Sequence, residues 1–203
     1  MTKNMAQKRA KKAQRRKELV ALKRRVEALE NSLPARVARA AQAPILHCYG
    51  DEALFEVGMG TVILTRGGSS HQLTLGMFLI DTFSLGIKDV TFRPIEGFAF
   101  ELLMAAANAS SPAVSVEPSY ARKLLRDLAA WSQSIGFAPH RDFAVIERIF
   151  GDVSADDSDA VFQFGRDGKP VYISGPSESA EQVLERAAQV QKHLGDDPLD
   201  MVA

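Results

Sequence analysis

"GTVILTRGGSSHQLTLGMFLIDTFSL", residues 60–85, decides the fold class. Two β-rich runs, 60–66 and 71–85, flank Gly67-Gly68-Ser69-Ser70, and apolar strands around a glycine-rich turn predict a β-hairpin. The second run is apolar on both parities from Leu75 to Leu85, which predicts a strand covered on both faces, with Gly76 allowing a bulge or a close neighbour. Outward from this hairpin, "ILHCY" (45–49) reads as a short apolar strand and "DVTFRPI" (89–95) as another. Helices are expected over 96–108, over about 118–135 with Pro118 near the start and Gly136 past the end, and over 139–150 up to Gly151. A hairpin turned at Asp167-Gly168 is expected within "AVFQFGRDGKPVYISG" (160–175). A final helix follows over about 178–194, where Ser179 and Gln182 have capping-box spacing. Strands and helices are segregated, which predicts α+β: one body with an antiparallel or mixed sheet and an N-terminal basic helical arm. The divisions are 1–33 for the arm, 34–44 ("PARVARAAQAP") for a linker, 45–195 for the α+β domain, and 196–203 for a flexible tail.

Composition narrows the function classes. The chain has 203 residues, 46% hydrophobic, and a formal net charge of zero. That zero hides a division: residues 1–25 hold eleven Lys/Arg against Glu18 alone, a balance of +10, and the remaining 14 basic and 24 acidic side chains give −10. A cationic segment on an acidic body points to a polyanionic partner. No apolar run is long enough for a transmembrane helix, and no signal-peptide h-region follows the basic start, so a cytoplasmic protein is expected. One cysteine excludes an intramolecular disulfide, and the histidine spacing suits no zinc site; neither metal nor cofactor is expected.

The arm is built from good helix formers, without Gly or Pro between Met5 and Leu33. Its basic half, with Lys8, Arg9, Lys11, Lys12, Arg15, Arg16 and Lys17, repels itself through like charges three and four apart, and so needs an anion to become ordered. In the second half Leu19, Leu22, Val26, Leu29 and Leu33 follow the 3-4 spacing of a heptad seam, with Lys23, Arg24 and Arg25 off it. Docking of this seam on the protein's own body is the expected outcome, with a partner helix or self-association as the alternative. A basic-zipper reading fails on seam length and on the lack of the Asn and small residues used against bases. The cations suit phosphate neutralisation without base reading, and RNA or a ribonucleoprotein is favoured over a defined DNA sequence.

Catalytic readings are weaker. Gly58-Met59-Gly60 runs on as a strand, where a dinucleotide site needs a helix. His140-Arg141-Asp142 lacks every other kinase element. Asp167 and Lys169 after Asp156, Asp157 and Asp159 echo a nuclease but fit a hairpin tip. Ser174, Gly175, Ser177 and Ser179 could receive phosphate or simply cap a helix. Cys48, His140 and Asp142 could form a nucleophile, base and orienter, and Asp81 interrupts an apolar strand, so it needs a partner. The expected function is therefore non-enzymatic nucleic-acid binding, with a helix-mediated adaptor and a small hydrolase or nuclease as alternatives.

Overall fold

The computed structural model describes residues 2–173, 179–194 and 201–202. Strands β1 (Ile45–Asp51), β2 (Met59–Ser69), β3 (Gln72–Asp81), β4 (Gly86–Glu96) and β5 (Ala113–Ser115) form one antiparallel sheet in the order β4-β3-β2-β1-β5. The remaining elements are helices α1 (Thr2–Glu30), α2 (Leu33–Ala40), α3 (Leu54–Val57), α4 (Gly97–Ser110), α5 (Pro118–Ser134), α6 (Phe143–Ile146) and α7 (Ala180–Leu194), with 3₁₀ turns at Glu147–Phe150 and Ala155–Asp157. The fold is α+β.

The 60–85 stretch forms its hairpin, but the register breaks at Gly67-Gly68, Ser69 pairs with Gln72, and the chain turns at Ser70-His71. The second strand stops at Asp81 instead of Leu85. The buried Asp81 carboxylate accepts the backbone N–H groups of Phe83 (2.8 Å) and Ser84 (2.9 Å), bending the chain into a turn that ends on Gly86 at φ 70°. On one sheet face Leu73, Leu75 and Ile95 pack with Phe100 of α4; on the other Phe78 and Ile80 join Leu124, Leu125 and Leu128 of α5. β3 is thus covered on both faces. Gly76 is a close approach: a Cβ there would lie 3.1 Å from Ile149 Cδ1.

Several segments depart from the sequence reading. Residues 34–44 are no linker: α2 has Pro34 in its first turn and buries Val37 completely in the main core. The first helix ends at Glu30, before Pro34: Ser32 N–H donates to the Leu29 carbonyl (3.2 Å), three residues back, and Ser32 Oγ donates to the same carbonyl (2.7 Å). The helix expected over 139–150 shortens to α6 and one 3₁₀ turn, closed by Gly151 at φ 63°. The hairpin at 160–175 has its tight turn, with Asp167 at φ 54°, Gly168 at φ 80° and paired Arg166 and Lys169, but no ladder. Instead Tyr172–Ile173 (β6) pairs in parallel with Met201–Val202 (β7), so the expected flexible tail carries a short strand there; residues 196–200 lie outside the described residues. The capping box at the start of α7 is present: Ser179 N–H donates to Gln182 Oε1 (2.9 Å) and Gln182 N–H to Ser179 Oγ (3.2 Å).

Candidate functional site

Cations are concentrated at the N-terminus of the fold. Lys8, Arg9, Lys11, Lys12, Arg15, Arg16, Lys17, Lys23, Arg24 and Arg25 all lie on α1, and from Arg16 to Glu30 every side chain is exposed. Leu19, Leu22, Val26 and Leu29 are 66, 57, 44 and 63% exposed, and only Leu33, which starts α2, packs against the core.

Sequence reading missed the cations beyond α1. Arg36 and Arg39 are three apart and share a face of α2. With Arg66 and Phe92 they line a groove of about 320 Å³. The Arg36 guanidinium lies 5.4 Å from the Phe92 ring centre, and Arg39 donates to the Glu30 carbonyl (3.0 Å), holding the end of α1 to α2. Their signal was the Arg-x-x-Arg spacing inside an Ala-rich segment, hidden by the two prolines that mark a linker.

Two further arginines are structural. Buried Arg66 donates to the Ile149, Ala43 and Phe150 carbonyls at 2.5, 2.5 and 2.6 Å. Burial lowers its pKa from the ordinary arginine value. Arg122 meets Glu147 side-on, Nε to Oε1 at 2.6 Å and Nη2 to Oε2 at 3.2 Å, and donates onward to the Gly151 and Val153 carbonyls. Arg126 adds a 2.7 Å bond to the same carboxylate. Burial pushes Glu147 upward, but the hydrogen bonds and charges of Arg122 and Arg126 outweigh it and hold the carboxyl below its usual range. Together Arg66 and Arg122 clamp residues 147–153.

Cys48 is not brought to His140 and Asp142. Cys48 is buried on β1 opposite Leu64, and burial, with Glu117 adding to it, raises the thiol pKa to about 12. His140 is tied to β4, its N–H donating to the Ile87 carbonyl. Two strands separate β1 from β4, a span of roughly 14 Å at sheet spacing. The Asp142 carboxylate faces Arg141 (3.8 Å), while its backbone N–H donates to His140 Nδ1 (3.3 Å); the imidazole Nε2 sits 3.7 Å from Asp89. Asp81 has found a structural role in the β3–β4 turn. Burial raises its pKa against the pull of the Ser84 and Phe83 N–H groups. No group of acids, histidines or cysteine able to hold a metal occurs among the described residues, and Ser174, Gly175 and Ser177 lie outside them. No helix among the described residues is long and apolar enough to cross a membrane.

A second open cleft, of about 510 Å³, is lined by Phe55, Phe83, Tyr120, Phe162, Glu56 and Arg166 among others. Phe55 and Phe162 stack (6.0 Å, 9°), and Tyr120 meets Phe162 edge-on at 5.1 Å. No family model, no curated protein and no solved structure matches this chain.

Proposed function

We propose that this protein binds the phosphate backbone of nucleic acid without catalysing a reaction, through the cationic face of α1, and that its ligand is RNA or a ribonucleoprotein. The observation that carries the reading is the segregation of charge. A balance of +10 is confined to residues 1–25, on a helix whose side chains from Arg16 onward are turned to solvent. Arg36 and Arg39 extend the cationic surface onto the body. Lysine and arginine on alanine-spaced turns neutralise phosphate but have no means of reading bases.

The test is fluorescence anisotropy of a labelled single-stranded RNA with the full chain and with residues 1–17 deleted. The full chain should bind, with log affinity falling against log salt by about 0.7 per neutralised phosphate. The deleted chain should keep its fold and lose most of the affinity. Affinity retained after deletion, or a flat salt response, sinks the reading.

The second reading, a helix-mediated adaptor, has one observation in its favour: Leu19, Leu22 and Leu29 are each more than half exposed. A partner helix, or α1 of a second copy, would cover them. The hydrolase reading has no assembled set of groups among the described residues to support it.

A further inference from the structure

Residues 161–164 have the sequence pattern of a strand and, among the described residues, no strand to pair with. Val161 is 95% exposed, Phe162 half-buried, Gln163 exposed and Phe164 buried, the alternation of a strand lying against a core. Yet among the described residues their backbone N–H and C=O groups have no hydrogen-bond partner; the first bond is that of Gly165, whose N–H donates to the Thr82 carbonyl. The side chains are fixed all the same. Phe162 stacks on Phe55, and Phe164 packs against Trp131 (5.5 Å) and Phe162 (6.1 Å). A segment anchored by its side chains on one side, with a free row of backbone donors and acceptors, is what strand addition requires of a receptor.

Two features beside it define the occupant. The aromatic cleft, walled by Phe55, Phe83, Tyr120 and Phe162, gives an apolar side chain a place of about 510 Å³. Just ahead in the chain, the exposed Asp156, Asp157 and Asp159 form no ion pair and no metal site among the described residues.

We infer that residues 161–164 and the cleft beside them bind an extended segment of a partner protein, added as a β-strand along the free backbone. Such a segment seats an aliphatic or aromatic side chain in the cleft and carries Lys or Arg against Asp156, Asp157 and Asp159. The inference stands apart from the nucleic-acid reading, because it uses the acidic body and none of the arm.

The experiment selects a random peptide library on the immobilised full chain and measures the enriched peptides, made synthetically, by calorimetry. The expected consensus alternates apolar residues and contains Lys or Arg; the cationic arm by itself would enrich Asp and Glu. N-methylation of the peptide backbone at alternate positions should weaken binding about tenfold for the hydrogen bonds removed, without touching the protein. Val161→Pro removes one receptor N–H from an exposed position and should weaken binding in the same way, and bound peptide should slow amide exchange at residues 161–164. A library that yields only acidic peptides, or peptides indifferent to both N-methylation and Val161→Pro, overturns the inference.

Discussion

Replacing Glu147 by Gln keeps the shape of the side chain and removes the charge that two arginines share. The Glu147 side chain is 9% exposed, and those of Arg122 and Arg126 are 10% and 49% exposed. Arg126 can turn to water. Arg122 cannot, since it lies over Phe150 (5.9 Å) and is held by the Gly151 and Val153 carbonyls. In Glu147→Gln the amide NH₂ faces a guanidinium N–H, donor against donor, and Arg122 stays buried without a counter-charge. Breaking a buried pair from one side costs about 3 to 5 kcal/mol, and the two carbonyls that Arg122 keeps place this case near 3. For a chain of this length that corresponds to a fall in Tm of about 6 to 12 °C. The assay is thermal unfolding of both proteins by circular dichroism across pH. Because the folded Glu147 carboxyl lies below its ordinary 4.5, its contribution is complete above that value and is lost as pH falls through the lower, folded one. The gap between wild type and Glu147→Gln should therefore be full at pH 7 and narrow in acid, as a protonated Glu becomes equivalent to Gln. A gap below about 1 kcal/mol at pH 7, or one that stays constant as acid is added, refutes the claim that this ion pair stabilises the 147–153 segment.

Three shorter predictions accompany it. Cys48, with its pKa raised to about 12 by burial, should resist iodoacetamide in the folded protein at pH 8 and react at once in denaturant; rapid labelling of the native state would contradict its burial. Asp81→Ala should cost about 2 kcal/mol by orphaning the Phe83 and Ser84 N–H groups, whereas Asp81→Asn keeps the acceptor. A carboxyl whose folded pKa is raised favours folding at low pH and loses that contribution as pH rises through the raised value, so Asp81→Asn should match or exceed wild-type stability at pH 7; chemical denaturation of the two variants decides. Leu22→Ala with Leu29→Ala should leave the Tm of a monomer unchanged, since both side chains are exposed. A concentration-dependent Tm and a dimer mass in light scattering, both abolished by the double change, would instead assign the seam to a second copy.

Four strands of the main sheet, β1 to β4, were legible because their apolar runs are local facts: a period of two and turn glycines say where a β2–β3 hairpin lies without knowledge of the rest; β5, three residues in a Ser/Pro segment, is a strand only because β1 stands beside it. The helices α5 and α7 were legible for the same kind of reason, in Pro118 at one start and the Ser179–Gln182 box at the other. The charge division was fully readable, since composition needs no coordinates. What tertiary structure decided was every question of partnership. Proline marks a helix start as well as a linker, and only the space beside the core, filled by Val37, makes α2 a docked helix. An alternating stretch such as 161–164 announces a strand, but pairing is a property of two segments, and among the described residues no neighbour stands there. Arg66, Asp81, Arg122 and Glu147 carry the same formal charges as side chains at the surface. Their roles come from carbonyls, turn N–H groups and each other, brought together across up to 84 residues of chain between Arg66 and Phe150. Cys48 remained apart from His140 and Asp142 for the complementary reason: residue type states which chemistry is available, whereas strand order sets the distance over which it would have to act.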